Sequence, residues 1–198
     1  EKRDQLHLSD GYSDYHFLDG YKTIISLAIP YPKQEVKWEG KGFGILSRYS
    51  YNLDYHIVFG AIIETICKEL VELGLQAKGS VDISGVDERY AGFLSTMGFL
   101  GKNQFLIMKD YGTYAFLGTI LIDIDVEKNI EVLDDCGACT KCINACPSGA
   151  LDHGFEQDLC ISHVSQEKIP FTEKEVSYFK TMIFGCDICQ KVCPKNSG

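Results

Sequence analysis

At 198 residues with 45% hydrophobic content, the chain can bury one good core and carry a small appendage. Its formal charge of −9 is unevenly spread: residues 136–198 hold six Lys and seven acids, leaving 13 basic and 21 acidic residues ahead of them. An acidic body repels phosphate backbones, so a nucleic-acid partner would need a local basic patch.

No apolar stretch approaches the roughly 18 residues that cross a bilayer, and no signal-like start is visible. A cytoplasmic protein with no membrane partner is therefore expected, although a start at Glu1 rather than Met leaves room for an upstream address.

In chain order, Thr23–Ile29 (TIISLAI, ended by Pro30) predicts a short buried strand. From Tyr55 to Leu73 the apolar residues Val58, Ile62, Ile66, Leu70 and Leu73 recur at helical spacing, with Glu64, Lys68, Glu69 and Glu72 elsewhere on the surface. Asp54 is placed to cap this helix at its start and Gly74 at its end. Cys67, among Ile63, Ile66 and Leu70, reads as a core thiol.

Residues 77–83 predict a second strand, and Asp87–Met97 a second helix stopped by Gly98. Phe105–Met108 and Thr113–Ile124 then predict a strand pair folded at Asp110, Tyr111 and Gly112. The order strand, helix, strand, helix, strand, strand predicts an α+β layer fold. The acidic stretch Asp123–Asp135 marks a boundary, with one domain over residues 1–134 and a smaller one over 135–198.

Eight of the nine cysteines fall into two runs in that smaller domain. Cys136, Cys139, Cys142 and Cys146, followed by Pro147, follow the bacterial ferredoxin spacing C-x2-C-x2-C-x3-C-P. The second run is sparser: Cys160 stands alone, and Cys186, Cys189, Cys193 and Pro194 come near the end. Three closely spaced thiolates wrap one cluster, while the fourth, before proline, leads away and serves the other.

One [4Fe-4S] cluster is thus expected on Cys136, Cys139, Cys142 and Cys193, and a second on Cys146, Cys160, Cys186 and Cys189. Structural zinc gives no reason for eight cysteines and two Cys-Pro steps. A disulfide framework belongs to an oxidising compartment, for which no secretory signal is visible. Two such clusters make a low-potential electron carrier that calls for an external low-potential donor.

The segments RYSYNLDYH, VDISGVDERYAGFLSTMGFLGKN, YGTYAFLG, CGACTKCINACPSGAL, CISHVSQEKIP and GCDICQKVCPKN occur in that order. From about Tyr21 onward the chain resembles the epoxyqueuosine reductases. The resemblance implies a nitroreductase-like domain that binds cobalamin base-off, followed by a ferredoxin-like domain with two [4Fe-4S] clusters. It also implies reductive removal of the epoxide oxygen that turns epoxyqueuosine into queuosine in tRNA.

By resemblance Asp82 is the general acid to the epoxide oxygen, His56 and Arg89 lie near substrate or cofactor, and Gly101, Lys102 and Asn103 form a loop against the corrinoid. From spacing alone these residues read otherwise. Asp82 is then a turn or cap residue, Arg89 a surface partner of Asp87 or Glu88, His56 a satisfied partly buried histidine, and Gly101–Asn103 an ordinary turn.

Asp54, His56 and Gly60 only approximate the Asp-x-His-x-x-Gly corrinoid motif, the glycine standing one residue too far. The chain also departs from the family at Val86 and Asp87, at Lys195, and in ending without the C-terminal helical repeats. With the acidic charge, that short form weighs against tRNA as partner. Two other functions fit the same residues: a corrinoid and iron-sulfur reductase of a small molecule, as in reductive dehalogenases, or a stand-alone ferredoxin-type carrier.

Overall fold

The computed structural model describes residues 16–33, 44–82, 85–127 and 134–196. Its centre is a three-stranded antiparallel sheet in the order β1 (Thr23–Pro30), β6 (Ala115–Ile122), β3 (Ala77–Ser80). Thr23 faces Ile122 and Pro30 faces Ala115 along one edge of β6, and Ala77 faces Ile122 along the other. β6 is covered on both faces. Ile120 and Ile122 point to helix α1 (Tyr55–Glu72), and Leu121 points to the cluster of Val86 and Ala91, the latter on helix α2 (Glu88–Leu94).

α1 forms as its period and caps require. The Asp54 carboxylate accepts the His56 N–H, and Gly74 takes a positive φ just past the end. Phe59 and Ile63 are its buried contacts, with Ile66, Cys67 and Leu70 packed beside them. A Cβ on Gly79 of β3 would stand 2.1 Å from Ile63 Cγ2, so the helix sits closer to the sheet than any larger residue would permit. Cys67 is a thiol of this interface, and burial raises its pKa.

Three expectations are corrected. The second strand ends at Ser80, and Ile83 lies outside the described residues. The second helix ends at Leu94, because Thr96 adopts φ 58° while its N–H bonds the Phe93 carbonyl. Gly98 opens a strand instead of stopping a helix. β4 (Gly98–Leu100) pairs with β5 (Leu106–Met108), so β5 does not pair with β6 as expected. The eight residues of β6 find more partners in β1 and β3 than β5 could offer.

The cysteine region is built of short helices: α3 (Lys141–Ala145), α4 (Ile161–Val164), α5 (Glu173–Phe179) and α6 (Ile188–Lys191). α3 packs against α6. Between Cys146 and Cys186 the chain makes its own small core of Ile161, Val164 and Phe179.

Strand pairing and buried polar contacts both cross the expected boundary at residue 134. β2 (Ile45–Leu46) runs parallel to β7 (Met182–Phe184). A buried polar network also joins Ser47 and Arg48 to Asp187, and Thr113 to Gln190 and Asn196. No helix of the described residues is long and apolar enough to cross a membrane.

Candidate functional site

The eight expected cluster cysteines are all free thiols. Cys136 and Cys139 flank a turn in which Cys139 N–H bonds the Cys136 carbonyl; Cys142 lies on α3, and Cys146 closes it. Cys160 stands at the start of α4, Cys189 on α6, and Cys193 is buried against Phe99 and Ile107 with Cys136 beside it.

The thiols lie close enough to influence one another: Cys142 feels Cys136 and Cys193, Cys186 feels Cys160 and Cys146, and Cys189 feels Cys186 and Cys160 and, across the two sets, Cys142. Burial pushes the Cys186 thiol up to about 11 and Cys189 further still, with the neighbouring thiols adding to both. Among the described residues no three His, Cys, Asp or Glu side chains converge as they would on a single ion.

Cys146, Cys160, Cys186 and Cys189 together line a cavity of about 290 Å³. Cys186 also lines a neighbouring open cleft of about 630 Å³, together with Asp82, Glu88, Tyr55 and Phe116. The two spaces share Arg89, Gln104 and Phe105.

Asp82 follows β3 in the left-handed region, φ 60°, a conformation that costs a non-glycine residue about 1 kcal/mol or more. Its Oδ2 accepts the Tyr55 hydroxyl and stands 2.9 Å from His56 Nε2, while His56 Nδ1 is 2.8 Å from Asp54 Oδ1. Tyr55 is fixed by stacking on Phe116, 4.1 Å between centroids and 6° apart in plane. Burial, then Asp82, raises the Tyr55 hydroxyl far above its usual range, so it stays protonated and donates to Asp82.

Of the two acids offered to Arg89 by spacing, Asp87 and Glu88, the arginine takes Asp87, Nη2 to Oδ2 at 3.0 Å, and its Nη1 donates to the Gln104 carbonyl. Burial works to raise Asp87, but the Arg89 guanidinium and two backbone N–H groups outweigh it and hold the carboxyl below the usual range. Glu88 turns inward, accepts the Asp82 N–H at 2.9 Å, and is pushed up to about 8 by burial first and then by Asp82. Its spacing from buried Ala91 and Gly92, at i+3 and i+4, was the signal that pointed it inside.

The remaining expected residues lie apart from the cleft wall. Lys102 Nζ donates to the carbonyls of Gly137 (2.8 Å) and Cys139 (3.0 Å), holding the first cysteine loop. A Cβ on Gly101 would come 2.5 Å from Asn103 Oδ1, so glycine is required there by its own neighbour. Asn103 is 4% exposed and borders the thiol cavity. Its Nδ2 has no partner among the described residues, leaving a buried donor that a bound group would satisfy.

A mixed layer of helices and strands with an acid-bearing cleft beside a thiol-lined cavity, its thiols at ferredoxin spacing, defines a class, the iron-sulfur proteins. A family model described as a 4Fe-4S double cluster binding domain matches residues 135–196, and one described as Epoxyqueuosine reductase QueG, DUF1730, matches residues 13–83. Epoxyqueuosine reductase of Bacillus anthracis is 34% identical over 91% of this chain and 50% of its own length. That of Atelocyanobacterium thalassa is 30% identical over 96% and 68%.

The structure of epoxyqueuosine reductase from Streptococcus thermophilus superposes with a TM-score of 0.84 at 34% identity, covering 91% of this chain and 51% of that one. A crystal structure of epoxyqueuosine reductase with an epoxyqueuosine-modified tRNA-Tyr stem loop gives 0.84 at 29%, covering 91% and 50%. The chain belongs to the epoxyqueuosine reductase family. It spans about half the length of the first curated relatives it matches.

Proposed function

We propose that this chain forms the reducing body of an epoxyqueuosine reductase, with residues 1–134 as a nitroreductase-like corrinoid domain and 135–198 as a ferredoxin-like domain. The observation that carries the reading is a single cleft lined by Asp82 and Glu88 together with Cys186. Converting an epoxide to an alkene and water consumes two electrons and two protons, and both must arrive at the same place. The stand-alone carrier explains the cysteines but gives Asp82, Tyr55 and His56 no task.

The cysteine spacing, and the cavity that Cys146, Cys160, Cys186 and Cys189 line together, support one cluster on Cys136, Cys139, Cys142 and Cys193, and one on Cys146, Cys160, Cys186 and Cys189. The second set is the one against the cleft. Cobalamin suits the open, aromatic-walled space, and both His56 nitrogens are engaged by carboxylates, in keeping with a face free of histidine. When bound, the corrinoid supplies a centre that accumulates two electrons. Arg89, at the rim shared by both spaces, and Asn103, beside the thiols, are the residues placed to hold it, while Gly101 and Lys102 shape the loop behind them.

Asp82 delivers the proton to the departing oxygen. Tyr55 steadies its Oδ2, and His56, between Asp54 and Asp82, returns a proton to it from the exposed side. The tRNA stem loop in a relative's structure supports modified tRNA as substrate despite the acidic charge. An external donor supplies the electrons, and the reaction belongs in the cytoplasm.

The test is turnover of an epoxyqueuosine-containing tRNA stem loop by wild type and Asp82→Asn with matched iron and cobalt contents. A loss of about 10²-fold or more is expected for the variant. An Asp82→Asn protein that works at the wild-type rate overturns the role.

A further inference from the structure

We infer that Glu88 is a positioning residue that holds Asp82 in its acid-delivering conformation, an inference that rests on the reading of Asp82 given above. Val81 is the last residue of this segment in the core, and the last ladder pair of β3 is Ser80 with Thr119. Asp82 is therefore the first residue past both, and its N–H has no strand to bond. That N–H goes to Glu88 Oε1 at 2.9 Å.

The acceptor is itself rigidly placed. Asp87 caps α2 by accepting the N–H groups of Arg89 and Tyr90, and Ala91, one turn on, is buried with Val86 and Leu121. Glu88 thus pins a left-handed residue from a fixed helix end. Only with the backbone so turned does the Asp82 carboxylate meet both Tyr55 and His56 at the start of α1.

A glutamate in the first turn of a helix ordinarily stays exposed and ionised, favoured by the helix dipole. Glu88 is instead half-buried beside Asp82 and Asp87 and pushed up to about 8 by burial first and then by Asp82, so near neutral pH it accepts the bond largely as the neutral acid. The charged and titratable groups that act on Glu88 are Asp82 after β3 and Asp87 at the cap of its own helix, with Tyr55 of α1 near enough to feel it. Glutamine would keep the accepting oxygen and the neutrality; leucine would keep neither.

The experiment compares wild type, Glu88→Gln and Glu88→Leu, each loaded with iron and cobalamin. It measures hydrogen-deuterium exchange at the Asp82 amide by fragmentation mass spectrometry, and single-turnover rate on the modified stem loop. Glu88→Leu should exchange that amide about fivefold or more faster, the loss of one hydrogen bond, and should slow the single-turnover rate at least tenfold with little change in substrate binding. Glu88→Gln should restore both.

Unchanged Asp82 exchange in Glu88→Leu overturns the inference, as does a glutamine variant that fails like leucine. Equal iron contents across the three proteins show that folding is intact. A wild type inert on the stem loop whose Asp82 amide still loosens in Glu88→Leu supports the latch and overturns the assigned reaction instead.

Discussion

Asp187 lies between Cys186 and Cys189 at 5% exposure, and its carboxylate is the main polar tie between the cysteine region and the rest of the chain. It accepts the Ser47 hydroxyl and the Arg48 N–H, the latter at 2.9 Å, just after β2. Asp187→Ala deletes these two bonds to a charged acceptor, each worth about 1.5–3 kcal/mol, along with a longer one from Gln190 Nε2 at 3.4 Å, for a total of about 3–6 kcal/mol.

In a chain of this size each kcal/mol moves the melting temperature by about 2–4 °C, so the midpoint should fall by about 10 °C. The assay is anaerobic thermal unfolding followed by far-ultraviolet circular dichroism and by the visible absorbance of the clusters, which should bleach early in the variant. Asp187→Asn, which keeps one accepting oxygen, should fall between. A shift under about 2 °C for alanine would show that the carboxylate does not hold the two regions together.

Loss of Cys146 or Cys160 to serine should halve the iron found per chain while Cys67→Ser keeps all of it, and full iron in either ligand variant would refute the pairing. Gly79→Ala forces a methyl to 2.1 Å from Ile63 Cγ2 and should destabilise by about 1–3 kcal/mol in chemical denaturation; a neutral result would mean that α1 can lift off the sheet freely. Glu88 binds its proton more tightly folded, at about 8, than at its ordinary 4.5. Its contribution is therefore fully present below about 4.5 and is lost as pH rises through 8. Glu88→Gln should gain on wild type by about 2–4 kcal/mol across that window, and a pH-independent difference between the two would contradict the buried acid.

The features legible in the sequence were those fixed by local chemistry. α1 announced itself through its period, Asp54 and Gly74 because a helix states its face and its ends within a few residues. The cysteine runs did so because cluster ligation demands fixed spacing. Partnership across the chain was hidden: β5 and β6 are adjacent in sequence, yet β6 is claimed by β1, about 90 residues earlier, and periodicity says which face of a strand is apolar but not what lies alongside it.

The same limit applied to side chains whose role depends on a distant partner. Lys102, placed in the corrinoid loop by resemblance, also holds the carbonyls of Gly137 and Cys139, which no local pattern announces. Nothing in the local sequence marks Asp187 as the partner of Ser47 and Arg48. Two acids precede Arg89, and only geometry shows that the arginine takes Asp87 while Glu88 accepts the Asp82 N–H.

The proposed reaction needs electrons and an acid to converge on a corrinoid in one cleft. Anaerobic reconstitution with iron, sulfide and cobalamin, followed by metal analysis of a single purified sample, is the direct test. About eight irons and one cobalt per chain are expected. Eight irons with no cobalt would contradict the proposal and leave an electron carrier.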